Sequence, residues 1–275
     1  MASDFPVLLH RSSARPPRRP SRSRRALALT RRTARVVAGI GACVVACGIP
    51  AVPLGAQVEH NGHLWVNYFG DHRLAERTSL YLELSARRAD FAREWQQQVI
   101  GMGVSQAVVG SYRATVTLIG QRSWPYTGGA GGSVVNEVRP WLQLAGQRRV
   151  GGEGSRWQWA DRSRLEFRWQ RRDVAFDVEG DWRGSMRFRR QDRLQRRLSR
   201  DWYAVASQEW FIDVPPGSTG PFVDQSRTQL AVGRSLNRTL RVEGGYMLQW
   251  LERPAGPREL NHTLVVSFRS SAPFR

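Results

Sequence analysis

Lysine is absent from this chain: all 42 basic residues are arginine. No site chemistry forbids lysine along a whole sequence, so the bias reads as compositional. Cysteine occurs twice, at Cys43 and Cys47, both inside an apolar leader. The remainder therefore has no disulfide framework, no thiol nucleophile and no cysteine metal site. Past the leader histidine is confined to His60, His63, His72 and His262. After residue 57 no stretch holds 18 consecutive apolar residues, and none keeps a helical apolar period, which excludes a spanning helix there. A Gly-x-Ser-x-Gly elbow, a His-Glu-x-x-His pair and a phosphate-cradling loop are also missing. What remains is 275 residues, enough for one large domain or two small ones.

The net charge of +19 points at first to nucleic acid or an anionic surface. Ten arginines and one acid, Asp4, fall within residues 1–56, so about half of that charge sits in the leader. Residues 1–56 read as a disordered basic extension followed by a secretory signal. Arg31, Arg32 and Arg35 form its basic region, Val36 to Leu54 its apolar region, and Leu54-Gly55-Ala56 its cleavage site. Pro50 and Pro53 interrupt the apolar run and make it a poor spanning helix. Residues 57–275 then form one exported domain.

That domain alternates. In 164–169 Leu165, Phe167 and Trp169 take one face, and Arg164, Glu166 and Arg168 take the other. The period recurs about every twenty residues. Leu80, Leu82 and Leu84 oppose Tyr81, Glu83 and Ser85. Val138, Leu142 and Leu144 oppose Glu137, Arg139 and Gln143. Leu264, Val266 and Phe268 oppose Thr263, Ser267 and Arg269. Candidate strands run over 63–74, 78–89, 94–105, 109–122, 135–149, 157–171, 183–197, 201–213, 225–235, 239–250 and 261–270. Short turns near 75–77, 105–106, 151–155, 198–200 and 236–238 alternate with longer loops at 123–134, 172–182, 215–224 and 252–260.

A soluble antiparallel sheet with one wet face gives the same alternation strand by strand. Here, however, the polar face is rich in acids and arginines, and the other holds leucine, valine and aromatics. The pattern predicts an all-β fold: a single transmembrane, antiparallel, up-and-down β-barrel of about 12 strands (10–12). Eleven runs can be counted, and the even-number habit of single-chain bacterial barrels favours twelve. The segment 183–197 carries charge on both faces and is expected to lie partly above the membrane. Trp65, Trp95, Trp124, Trp157, Trp182, Trp202, Trp210 and Trp250 fall near strand ends, as expected of interfacial girdles.

Six segments stand out: WVNYFGDHRL (65–74), VNEVRPWLQL (135–144), RSRLEFRW (162–169), WYAVASQEWFI (202–212), DQSRTQLAVGRSLNRTLRVEGGYM (224–247) and NHTLVVSF (261–268). Together they resemble the domain-of-unknown-function 2490 family of Gram-negative exported proteins. The resemblance implies an outer-membrane β-barrel of unestablished activity and supplies no catalytic residues. The chain departs from the barrel habit in its long leader and in ending Pro273-Phe274-Arg275, which leaves Phe268 or Phe274 as the terminal assembly signal.

The candidate site is the set of inward charges: Glu83, Glu137, Arg139, Arg164, Glu166, Arg168, Glu209, Arg227, Arg241 and Glu243. They either line an anion-preferring pore or pair with each other and fill a narrow barrel. Catalytic, cofactor and metal residues are expected to be none. His60 and His63 read as a flexible polar tail, and Asp71-His72 as a pair split across two faces. The expected function is a non-enzymatic integral barrel of the bacterial outer membrane, structural or interacting, or a narrow anion-preferring channel for an unknown small solute. Its expected partners are outer-membrane lipid, lipopolysaccharide and the barrel assembly machinery, with no nucleic acid. Two alternatives remain. One is a lipid- or lipopolysaccharide-modifying barrel enzyme built on His262 with Glu209. The other is a soluble basic β-protein that binds nucleic acid.

Overall fold

The computed structural model describes residues 58–273 apart from 128–131, 153, 175–177, 215–221 and 254–256. The signal segment, its cleavage site, Phe274 and most of the glycine-rich stretch 128–132 lie outside the described residues. The described chain is all β. In order the strands are β1 (Val58–Arg73), β2 (Thr78–Ala89), β3 (Glu94–Ala107), β4 (Arg113–Ser123), β5 (Val135–Val150) and β6 (Trp157–Val174). They continue with the two-residue β7 (Val178–Glu179), β8 (Arg183–Arg197), β9 (Trp202–Val214), β10 (Val223–Ser235), β11 (Leu240–Leu251) and β12 (Arg258–Ser270).

Each strand pairs antiparallel with the next, and β1 closes on β12, so every wall strand has two neighbours and no edge is left. β7 only folds back on the tip of β6, and the wall passes from β6 directly to β8. The barrel therefore has eleven wall strands. The direct count of eleven runs holds, and the even number preferred over it does not. An odd number leaves the first and last strands pointing the same way, and β1 indeed pairs β12 in parallel, from Val58↔Arg258 to Gly70↔Ser270.

Loop lengths alternate much as the sequence suggests. Segments 74–77, 108–112, 151–156, 198–201 and 236–239 close one end. The strand ends that flank 124–134, 175–182, 215–222 and 252–257 gather at the other, together with one tight turn at 90–93. The turn expected near Ser105-Gln106 falls at 108–112, because β3 runs on to Ala107.

Burial is inverted relative to a soluble domain. Ile100 is 65% exposed, Met102 62%, Leu230 59% and Leu264 58%, whereas Glu166 and Glu259 are fully buried. In water each of those apolar side chains would forgo about 1.5–3 kcal/mol. An outer face set in hydrocarbon forgoes nothing by this, and the closed wall presents no sheet edge, as a β structure in lipid requires. The lumen is not uniformly polar. Val99, Ile119 and Trp141 form one inward apolar patch, Tyr203, Val205 and Ala231 a second, and Trp65, Met247 and Val265 a third. Gly101 makes the first patch feasible, since a Cβ there would collide with the Ile119 side chain.

Two local irregularities serve the interior. Between Arg87 and Arg88 the β2–β3 register slips, so Gln96 is the extra residue of a bulge and turns inward beside Gln97. Pro140 brings no N–H to the ladder, and the β5–β6 pairing skips Arg139 and Pro140.

Candidate functional site: a charged lumen

Period 2 sends the even residues of β6 and the odd residues of β5, β8 and β9 into the barrel, where they meet in one network. Glu137 accepts two bonds from Arg168, at 3.1 and 3.0 Å, and one from Gln170 at 2.6 Å. Arg139 lies 3.1 Å from Glu137 Oε1, the oxygen that Arg168 Nε also reaches. Glu166 accepts from Arg187 at 2.8 Å and from Arg189 at 2.7 Å, with Arg164 at 3.7 Å and Arg139 at 3.8 Å. Arg189 then bridges to Glu209 at 2.8 Å, which also accepts from Arg162 at 2.6 Å and faces Arg227 at 3.8 Å. Glu83 accepts from the Tyr81 hydroxyl at 3.0 Å and lies 4.0 Å from Arg164.

Aromatic faces carry the guanidinium planes. Arg187, Arg189 and Arg227 lie over Phe211 at 4.9, 4.4 and 4.6 Å. Arg87 and Arg227 share Trp65 at 4.1 and 4.8 Å, and Arg164 covers Trp141 at 3.9 Å. Arginine suits this setting because it keeps its charge when desolvated, stacks, and presents donors in a fixed fork.

Of the sequence-derived set, Glu83, Glu137, Arg139, Arg164, Glu166, Arg168, Glu209 and Arg227 join this network. Glu243 sits apart, nearer the short-turn end, where it binds Arg193 at 2.6 Å, Arg269 at 3.2 Å and the Tyr203 hydroxyl at 3.0 Å. Arg241 lines the cavity but makes no ion pair within 4.0 Å among the described residues.

Sequence reasoning missed Arg162, Arg187, Arg189 and Arg193. Parity alone would have found Arg162, two positions before Arg164. In β8 the signal is masked, because Arg190 and Asp192 put charge on the outer face as well. There they bond each other at 2.9 Å, and Arg190 reaches Asp161 at 3.2 Å. Segment 183–197 forms a full wall strand, β8, and carries the charge on both faces that its sequence shows. The placement of Trp65 is corrected. It lies in the lumen, 4% exposed, while Trp95, Trp182 and Trp202 face outward.

At the long-loop end a segment turns into the mouth. Tyr126, in the loop after β4, donates to Glu259 at 3.1 Å, and its ring meets His63 edge-on at 5.3 Å. Burial holds the Tyr126 phenol above its ordinary range, so it stays a donor. Arg253 pairs with the same Glu259. Below them Gln96 accepts from the Trp65 indole at 2.8 Å.

The histidines are not a tail, since His60 and His63 are both on β1. His60 Nδ1 lies 3.0 Å from His262 Nε2, and His262 Nδ1 lies 2.6 Å from the Tyr246 hydroxyl, all three on the outer face. Glu209 points into the lumen, so His262 and Glu209 stand on opposite sides of the wall and cannot form the proposed pair. Asp71 and His72 are likewise divided: Asp71 lines the cavity near Arg113, whereas His72 meets the Tyr68 hydroxyl at 2.9 Å. Among the described residues no three His, Cys, Asp or Glu side chains gather as a metal-holding group.

The cavity enclosed by the wall measures about 900 Å³ and is lined by fourteen arginines and five acids. Such a lumen can bind or pass anions, or it can be filled by its own pairs.

A family model described as "Protein of unknown function (DUF2490)" matches residues 62–261. No curated protein matches the chain. Among solved structures, the chain is similar to the β domain of the Bordetella autotransporter Brka at 13% identity. That match covers 72% of this chain and 86% of the other, with a TM-score of 0.42.

Proposed function

The chain belongs to DUF2490, a family of unknown function, and on that premise we propose an integral barrel of the bacterial outer membrane, non-enzymatic, with a filled lumen and a structural or interaction role. One observation carries the filled-lumen reading: Glu166, fully buried, sits among four arginines at 2.7–3.8 Å, and Arg189 ties it to Glu209. A water-filled pore needs mobile counter-ions beside its charges, whereas here much of the neutralisation is fixed in the wall. Outer-membrane lipid, lipopolysaccharide and the assembly machinery are the partners that a barrel exported behind residues 1–56 meets.

A second reading, a narrow anion-preferring channel, draws on the excess of arginines over acids around the cavity. Fractionation, gel mobility with and without boiling, and planar-bilayer recording test both. The filled barrel gives outer-membrane recovery, a faster unboiled band and silent bilayers. Discrete anion-selective steps would favour the channel. Recovery in the soluble fraction ends both.

A further inference from the structure

Three lumen arginines are held by amide oxygens rather than by short ion pairs. Arg189 and Arg168 make short ion pairs to glutamates. Arg87 instead donates to Gln97 Oε1 at 2.5 Å and to Ser85 at 3.1 Å, and no described carboxylate lies within 4.0 Å of it. Arg164 donates twice to Gln143 Oε1, at 3.1 and 2.9 Å, and its nearest carboxylate oxygen is 3.7 Å away. Arg227 bonds Gln225 at 2.6 and 2.8 Å once that amide turns its oxygen inward, and its carboxylate, on Glu209, stands at 3.8 Å.

Each of the three is therefore held by a neutral amide oxygen and placed over a tryptophan ring, Trp65 for Arg87 and Arg227, Trp141 for Arg164. All three guanidinium groups and their glutamines line the same cavity. A glutamine orients a guanidinium without cancelling its charge, and an indole face stabilises the cation while leaving N–H edges free. Oriented guanidinium groups inside a wall of low dielectric, with no carboxylate closer than 3.7 Å, attract an oxyanion, since buried charge is costly until it is closely paired.

We propose that the lumen holds a binding site for a small multivalent oxyanion, centred on Arg87 and Arg227 at Trp65, with Arg164 as a third cation facing the same cavity. The proposal rests on the reading of the chain as a membrane barrel. Arginine's fork fits phosphate and carboxylate groups alike, so the ligand chemistry is a di- or trivalent anion bearing either. The cavity of about 900 Å³ admits a molecule of that size. A bound anion would take the place that Glu137 fills beside Arg168 and Glu209 beside Arg189.

The test is titration calorimetry on the full barrel, refolded in a zwitterionic detergent, with inorganic pyrophosphate, citrate and sodium chloride at matched ionic strength. Arg87→Gln and Arg227→Gln are compared with Arg200→Gln, which alters an exposed turn. Saturable binding of pyrophosphate or citrate with one site per barrel, weakened about tenfold or more by each lumen substitution and unchanged by Arg200→Gln, supports the site. Which of the two anions binds tells phosphate from carboxylate. Equal heats from chloride, or affinities unmoved by both lumen substitutions, overturn it. The unboiled gel shift of every variant separates this from failure of the barrel reading: a variant that keeps the shift yet binds normally sinks the site alone.

Discussion

Asn61 donates from Nδ2 to Asn261 Oδ1 at 2.9 Å across the seam where β1 lies parallel to β12. The two side chains come from the opposite ends of the domain, and they meet because an odd number of wall strands brings the first and last into the same direction. The register keeps a constant offset along the seam, and Asn67 repeats the contact by donating to Ser267 at 3.3 Å.

The seam predicts a cross-link. In a chain whose leader cysteines are replaced, Val66→Cys and Val266→Cys sit opposite each other, both facing outward. Neighbouring strands hold Cα atoms at about 5 Å, within disulfide reach. Oxidation should therefore close the ring and shift the boiled, non-reduced band. Val66→Cys with Val265→Cys points to opposite faces and should not close. A missing twelfth strand between β1 and β12 would abolish the first cross-link, which makes the gel a direct check on strand number.

Glu166 predicts a stability loss. It is fully buried against Arg139, Arg164, Arg187 and Arg189. Breaking a buried network by removing one partner costs about 3–5 kcal/mol, because the charges left behind have no solvent to turn to. Glu166→Gln should lower the temperature at which the fast-migrating unboiled band disappears. Adding Arg187→Met should restore part of it by removing one of the stranded cations. If the double variant is no better than the single, Arg187 does not depend on Glu166.

Legibility was unequal between the two faces of the wall. Period 2 is enough to place Leu165 outside and Glu166 inside, because each strand obeys it independently. Partners are another matter. Arg189 finds both Glu166 and Glu209 only through the β6–β8 and β8–β9 registers, which turn geometry sets and single-strand patterns do not encode. Trp65 misled for a related reason. It lies near the expected strand start at 63, yet β1 begins at Val58, seven residues before Trp65, which places it well inside the wall. Tyr126 gave no signal, since nothing in a Gly- and Pro-rich loop distinguishes a residue that turns into the mouth from one that points to solvent. The even strand number failed because it was a habit of other barrels rather than a property of these residues.

The outer band predicts a depth-dependent penalty. Ile100 is 65% exposed near the middle of β3 on the outward-facing side. Ile100→Arg should cost about 2–4 kcal/mol in refolding equilibria from urea in lipid vesicles, whereas Trp202→Arg, at a strand end, should cost about 0–1 kcal/mol. Equal and small costs at both positions would mean that this face meets water.

The mouth predicts a separation between stability and conductance. Tyr126→Phe removes the hydroxyl that donates to Glu259 at 3.1 Å and leaves a buried acceptor short of one bond. The expected loss is about 1–3 kcal/mol, read from the melting of the unboiled band. Tyr126→Ala opens the mouth further but leaves Arg189 bridging Glu166 and Glu209 deeper in the lumen, at 2.7 and 2.8 Å. Planar bilayers should therefore stay silent with Tyr126→Ala alone and show steps only when Arg189→Ala is added. Steps from Tyr126→Ala alone would place the barrier at the loop rather than in the charge network, and the filled-lumen reading would fall with that result.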